Sequence, residues 1–552
     1  MFCAIKELLL RFLKLLTMTK KHYLVVILFL ALVFLVGTNF FYLAAAWVTP
    51  EGKQYSGLNL TASADKLVYY SMIQQGVQGA LMQKNIHTGE AQIGALISPH
   101  WWLIGQSAYW LGLSVVTAYQ SWRVLLSLML VALLLLWVTR LARRYEDRIW
   151  LWLFVLFGAG WGWVAALIWP TILGKNFDPL ISKPVDIYMG ELSAFSNAQQ
   201  SPLFILTHIL LLAVFYLWAR QRQEITWRSE GLSGALAALL IMVHPYDFWI
   251  VMTVPSIWSL WRWWRTNDRK YIFKLALFWS WCLIAAGLVW TLVNQEVAIK
   301  GWSAQNLVYS PPIYNFLIAW GLLLPLAVVG SRTWWTKYRD NQWWALLVIW
   351  TWTTWILIYL PLDYNRRLAN AWLIPASLVA GLGAITLAKK IKNTYRRLLY
   401  WLAVIALITF GPWYSQVVYF GAIKYYLQDE RFYLSAPTRE LLLQVQAQPR
   451  DSVVLPFDES LGLLIPAFSG RTVYIGHQHQ TINYLQKRQQ VDEFFSPDTG
   501  MDKRNFLRSN KITLIVTHYS RQYPPEYFSW LKQVDYATLV DETAAGAIYQ
   551  VR

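Results

Sequence analysis

Several groups of residues in this sequence have the types and spacing to do chemistry. Asp65 lies in Ala62-Ser63-Ala64-Asp65-Lys66-Leu67-Val68-Tyr69-Tyr70, soon after a long apolar run. Leu67, Tyr70, Ile73 and Val77 recur behind it at helical spacing, which predicts a helix with the acid in its first turn. A carboxylate so placed can serve as a general base for an acceptor hydroxyl. It is equally the kind of acid that the helix macrodipole favours at any helix start. Asp178, Asp186 and Glu191 cluster further on, as a second acid, as oxygen ligands for a metal, or simply as solvated loop residues. His244-Pro245-Tyr246-Asp247 interrupts an apolar stretch, either as a functional group or as a polar turn between two short helices. Pro361-Leu362-Asp363-Tyr364-Asn365-Arg366-Arg367 presents two adjacent guanidinium groups. Their planar forks match a phosphate or pyrophosphate, the alternative being a salt bridge to Asp363 or to the acidic cluster. His477 and His479 follow a strand-like run, where binding loops commonly sit. Two histidines at that spacing, with no cysteine beside them, are a weak zinc signal.

The elements that must hold these residues are mostly apolar. The chain is 57% hydrophobic and 14% charged, with 34 Trp, whereas soluble domains carry about 25% charge. Only a helix satisfies its own backbone inside a bilayer, so apolar runs of about 18 or more residues read as spans. Eleven are expected, at 23–47, 118–139, 149–173, 201–219, 231–243, 248–261, 273–293, 313–330, 342–360, 370–388 and 399–420. The first reads as an uncleaved signal anchor, being too long for a signal-peptide core. The pair 231–243 and 248–261 is short and reads as broken at His244–Asp247. With the N-terminus inside, the short inner connections hold 25 Lys and Arg, against nine in the longer outer connections before residue 421. This topology places all the candidate residues above on the outer face. The fold class is therefore a polytopic α-helical membrane protein. Residues 1–420 form its transmembrane domain, with a large outer loop at 48–117. Residues 421–552, with charges of both signs and strand-like runs at 452–457, 472–475, 512–517 and 547–551, form an extracytoplasmic α/β domain.

Several function classes fall away. The net charge of +18 is distributed among connections between spans, as topology requires, and does not point to nucleic acid. No GxxxxGK[ST], HExxH or GxSxG motif is present. Cys3 and Cys282 make no disulfide framework. With no cytoplasmic domain to bind ATP, any chemistry needs an activated substrate that reaches the outer face, and a lipid-linked donor meets that need.

The whole pattern resembles the GT-C superfamily of membrane glycosyltransferases, which includes protein mannosyltransferases and the aminoarabinose transferases of lipid A. More narrowly it is similar to a group of largely uncharacterised bacterial GT-C-like proteins. The resemblance rests on Asp65 with Tyr69-Tyr70, the stretch from Gly94 to Pro99, Asp186 with Glu191, His244-Pro245-Tyr246-Asp247, Arg366-Arg367, and Ile465-Pro466-Ala467-Phe468-Ser469-Gly470-Arg471 with Gly476-His477 and Lys487. It implies that Asp65 is the catalytic acid of the first loop and that Arg366 or Arg367 holds the donor phosphate. Tyr69, Tyr70, Asp186, Glu191, His244, Tyr246, Asp247 and His477 are candidates for the substrate cavity. Many GT-C members carry two adjacent acids in this loop. Here Lys66 follows Asp65, which favours a mechanism with no metal and no other cofactor. The expected function is inverting transfer of a sugar from a polyprenyl-phosphate donor to a glycan, lipid or protein acceptor, in a multi-pass plasma (inner) membrane protein with a cytoplasmic N-terminus. The alternatives are a non-catalytic protein that binds or scaffolds lipid-linked glycans, and a lipid or glycan transporter. The last expects charged mid-span residues and repeated halves, neither of which stands out.

Overall fold

The structure is a computed structural model that describes residues 19–173, 184–220, 227–497 and 499–552. Asp178, Lys175, Lys183, Arg222, Cys3 and the basic residues Lys6, Arg11 and Lys14 lie outside the described residues. Among those described, seven helices are long and apolar enough to cross a bilayer, by length and composition: Lys20–Trp47, Val115–Leu141, Tyr145–Ile168, Pro202–Ala219, Lys270–Gln295, Asn365–Ala388 and Thr394–Tyr426. Ile313–Trp320 and Leu323–Lys337, bent by 75° at the break between them, make an eighth if taken together. The expected spans 231–243, 248–261 and 342–360 are also helical, as Trp227–Val243, Phe248–Thr266 and Gln342–Leu357, but they are shorter or less apolar than the seven. The first two meet at a 3-10 turn, Pro245–Asp247, as a broken pair would.

The long helices leave much apolar surface uncovered by protein. Along Lys20–Trp47, Leu28 is 67% exposed, and Val25, Phe29, Leu32 and Leu43 are also exposed. Such a stripe is costly in water and costs little in hydrocarbon. These helices make the chain a membrane protein.

The chain folds as two compact units, each discontinuous in sequence. The first joins the described residues up to Phe41 with Arg123–Ala286 and Val308–Tyr419. Its closest helix pair is Leu323–Lys337 against Leu373–Ala388, and glycine makes that approach possible. A Cβ on Gly330 would stand 1.9 Å from the Val379 carbonyl oxygen, and one on Gly383 would stand 2.0 Å from that of Leu326. Without a hydrophobic force between helices in lipid, this close van der Waals contact is a main source of association. Beside it, Trp320, Trp355 and Trp372 pack tilted and edge-to-face within 5.2 Å of one another, centroid to centroid, and the Trp372 indole N–H donates to the Thr351 carbonyl at 2.8 Å.

The second unit joins Tyr42–Trp122, Gly287–Leu307 and Phe420–Arg552. The loop after the first span thus packs with the C-terminal stretch. Strand β1 (Lys53–Tyr55) of that loop pairs antiparallel with β4 (Tyr433–Ser435), and β2 (Met82–Gln83) with β3 (Leu96–Ile97). A five-stranded sheet follows: β5 (Val453–Pro456), β6 (Thr472–Val473), β7 (Leu514–Val516), β8 (Ala537–Thr543) and β9 (Gly546–Val551), in the order β6-β5-β7-β9-β8. Strands β5, β6 and β7 are parallel, and β8–β9 is a hairpin. Helix Glu459–Ser469 crosses from β5 to β6, so the loop after β6 leaves the carboxyl end of a parallel strand, where ligand-binding loops collect in α/β sheets. Leu455, Val491, Phe494, Ile515, Phe528 and Tyr549 belong to the core under this sheet. Helix Ser63–Val77 packs on Pro99–Leu111 where Gly76 meets Gly105, and it also packs on Glu459–Ser469.

The glycine contact in the first unit has a measurable consequence. Gly330→Leu and Gly383→Leu should each lower thermal stability of the detergent-solubilised protein by roughly 1–3 kcal/mol or more. Gly287→Ala, whose added Cβ would meet nothing within 4 Å, should melt within about 1 kcal/mol of the parent.

Candidate functional site

In the second unit, helix Ser63–Val77 begins after Ala62, which sits at φ 49° with no side-chain cap. The helix start therefore depends on its own first turn, and Asp65 is the acid in that turn. The macrodipole stabilises its ionised form by about 0.3–1 kcal/mol. The Asp65 side chain is 49% exposed, and its Oδ1 lies 3.1 Å from His477 Nε2. His477 is buried, and its Nδ1 lies 3.2 Å from the His479 backbone nitrogen. A backbone N–H can only donate, so Nδ1 is the accepting nitrogen and the ring proton sits on Nε2. His477 is thus a neutral imidazole donating to the Asp65 carboxylate.

The loop that carries His477 is tied on several sides. The Gly476 N–H donates to Thr481 Oγ1 at 2.9 Å, and the Thr481 hydroxyl donates to the His87 carbonyl at 2.7 Å. The Thr481 N–H donates to the His477 carbonyl at 2.8 Å. His87 stands edge-on to His477, with ring centroids 6.5 Å apart. Burial pushes His87 down to about 3, so this neighbour stays neutral. Ser71 donates to the Val68 carbonyl at 2.7 Å, so His87 Nε2, 3.2 Å from Ser71 Oγ, is a donor.

The other residues of this segment divide. Tyr69, one turn beyond Asp65 and on the same helix face, is partly exposed and stacks on Trp101 at 4.9 Å. Tyr70, a cavity candidate by sequence, is fully buried, and its hydroxyl donates to the Ser56 carbonyl at 3.0 Å. It is a packing residue of the helix. Lys66 is buried and donates to Asn59 Oδ1 and, at 2.6 Å, to the Thr61 carbonyl.

In the first unit, the His244–Asp247 turn and the Asn365–Ala369 turn are laced together. His244 Nδ1 lies 3.0 Å from Asp247 Oδ2, and Asn370 Nδ2 is 3.0 Å from both Asp247 oxygens. Asn370 also meets Thr207 Oγ1 at 3.1 Å and His208 Nε2 at 3.1 Å. His208 Nε2 is 2.9 Å from the Glu191 carbonyl. Sequence reasoning missed Thr207, His208 and Asn370. An imidazole inside the apolar run 201–219 was the available signal. The Arg367 guanidinium carbon stands 4.7 Å over the Tyr246 ring, and Tyr246 packs on Tyr364 at 4.9 Å. The structure thus gathers His244, Tyr246, Asp247 and Arg367 into one cluster. Glu191 contributes its backbone there, its carbonyl also accepting from the Ala371 N–H at 2.9 Å.

Asp186 is buried, and its Oδ2 accepts from the Gly160 and Gly162 N–H groups at 3.2 Å each. Those amides sit at the break between helices Tyr145–Phe157 and Gly162–Leu173, so the carboxylate caps a helix start. Among the described residues, no group of three or more His, Cys, Asp and Glu is placed to hold a metal ion.

A bundle of apolar helices with a C-terminal sheet is a fold shared with solved membrane-protein structures. The chain matches the Archaeoglobus fulgidus oligosaccharyltransferase tethered to an acceptor peptide with the NVT sequon, with a TM-score of 0.54, 11% identity, and coverage of 91% of this chain and 69% of that one. It matches the same enzyme, AglB, in complex with an inhibitory peptide and a dolichol-phosphate, with a TM-score of 0.53, 10% identity, and coverage of 90% and 69%. ArnT from Cupriavidus metallidurans bound to undecaprenyl phosphate aligns at 12% identity with a TM-score of 0.45, covering 96% of this chain and 98% of ArnT. At these identities the likeness is one of fold. No family model matches the sequence, and no curated protein matches it.

Burial raises the Asp186 carboxyl to about 7, whereas in the unfolded chain it ionises near about 4. A raised acid contributes stability in full below about pH 4, and that contribution is lost as pH climbs to about 7, on the order of 4 kcal/mol in all. Melting curves from pH 4 to 8 should show this fall in the parent and a flatter profile in Asp186→Asn.

Proposed function

We propose that the chain is a glycosyltransferase that moves a sugar from a polyprenyl-phosphate donor to an acceptor on the outer face of the membrane. The observation that carries this reading is the half-exposed Asp65 carboxylate, held by a neutral histidine, on a GT-C fold. A general base needs to be ionised, oriented and reachable, and Asp65 has this character. In the reading, Asp65 takes the proton of the acceptor hydroxyl as the donor phosphate leaves from the opposite face of the sugar, through an oxocarbenium-like transition state, with inversion. In the first unit, Arg366 and Arg367 are the residues read as binding a lipid phosphate. Tyr246 packs against the Arg367 guanidinium, and a guanidinium fork suits bidentate contact with a phosphate. His244 and Asp247 keep that turn in shape. The dolichol-phosphate bound by AglB supports a lipid-phosphate donor. The reaction needs no metal in this scheme. The chain sits in the plasma (inner) membrane, with its N-terminus cytoplasmic and residues 421–552 outside.

The test is transfer of labelled sugar from polyprenyl-phosphate donors by the full-length protein in proteoliposomes supplied with envelope acceptors. Asp65→Asn should lower kcat by about 10²–10⁴-fold with donor binding retained. Arg367→Ala should raise the donor KM by roughly 10- to 100-fold, the worth of a lost charged hydrogen bond. Full transfer by Asp65→Asn would overturn the role of Asp65 as the base, whereas donor binding without transfer by the parent would leave the scaffold reading, in which the fold binds a lipid-linked glycan without acting on it.

A further inference from the structure

We infer that His477 is a positioning residue for Asp65, so that the C-terminal sheet supplies a working part of the site borne by the first outer loop. The inference rests on the assignment of Asp65 as the base.

Three observations carry it. First, the geometry fixes the direction of the hydrogen bond. With His479 N–H at Nδ1, the only ring proton of His477 is on Nε2, 3.1 Å from Asp65 Oδ1. Second, burial differs sharply across the contact. The His477 side chain is 5% exposed, while that of Asp65 is 49% exposed. The imidazole grips the carboxylate from behind, and the acid keeps a solvent-facing side for an acceptor. Third, the gripping group cannot swing. The Gly476–Thr481–His87 bonds close its loop, and a Cβ on Gly476 would press to within 2.8 Å of His87 Nδ1.

With Nδ1 accepting from the His479 amide, His477 reaches Asp65 through the uncharged Nε2–H. It therefore acts as a neutral donor. That distinction matters chemically. A cation at this contact would drain basicity from Asp65. A neutral N–H orients the carboxylate and leaves more of its basicity intact. Misplacing a reacting group by about 1 Å can cost about 100-fold in rate, so an orienting donor is a substantial part of such a site.

The experiment compares substitutions at His477 that keep or remove the donor. His477→Gln carries an N–H close to the Nε2 position. His477→Phe keeps the volume and loses the donor. His477→Asn is too short to reach Asp65 but can still accept from His479, and it serves if the Phe variant does not fold. The expected result is kcat within about threefold of the parent for Gln and about 10- to 100-fold lower for Phe and Asn, with donor KM unchanged in all three. In an Asp65→Asn background, Phe should add no further loss, because the partner it served is gone. Equal losses for Gln and Phe, or parental activity of Phe and Asn beside an inactive Asp65→Asn, would overturn the role of His477 and leave Asp65 as the base. Parental activity of Asp65→Asn would instead overturn the reading of Asp65, and the positioning role with it.

Discussion

A polar group moved out of water must find its hydrogen bonds inside the protein or cost several kcal/mol, and in a bilayer water is not there to help. The rest of the structure depends on that constraint. It makes the apolar stretches helical, because a helix pairs its own amides. It governs what the helices can carry. Arg123, buried within Val115–Leu141, is tolerated because its guanidinium donates to the Ala198 carbonyl at 2.9 Å and to Asn39 Oδ1 at 2.5 Å. Asp186 obeys the same rule by accepting two amides that a break between helices leaves free.

The rule also explains why a single asparagine matters in the first unit. Asn370 donates to Asp247 and accepts from His208, so three buried polar side chains are joined through one amide. A network this connected fixes the relation between the Pro245–Asp247 turn and the Asn365–Ala369 turn. Tyr246 and Arg367 then meet at a defined distance. The guanidinium meets the Tyr246 ring in a cation–π contact. Lysine, a point charge, has no such planar fork.

Hydropathy made much of the helical part legible, because the bilayer writes its own thickness into the sequence. It was less decisive where helices are short: 231–243 and 248–261 look like spans by composition, but their lengths are set by the polar turn between them. In the C-terminal stretch, the runs at 452–457, 472–475, 512–517 and 547–551 each contain or overlap a strand of the sheet. Strand β8 was missed because Asp541 and Glu542 break its alternation, and its outer positions are exposed. Asp65 was legible as a first-turn acid. Its partner was not, since Asp65 and His477 lie near opposite ends of the chain and no local pattern links them. Tyr70, named with Tyr69 through the family resemblance, falls on the buried side with Leu67 and Ile73, because helical geometry turns adjacent residues about 100° apart.

The electrostatics around Asp65 are those of an acid that is held without being neutralised. The macrodipole contributes about 0.3–1 kcal/mol toward the ionised form, and a neutral donor to a carboxylate contributes about 1.5–3 kcal/mol. Both favour the carboxylate over the acid. The adjacent ammonium, on Lys66, is directed into the preceding loop by Asn59 and Thr61. The ring behind His477 is His87, which burial keeps uncharged. The contact from His477 is a dipole, which orients and stabilises at short range without the long reach of a full charge. For a group proposed to accept a proton during turnover, this balance is the useful one, because too much stabilisation of the carboxylate would remove its drive to take the proton.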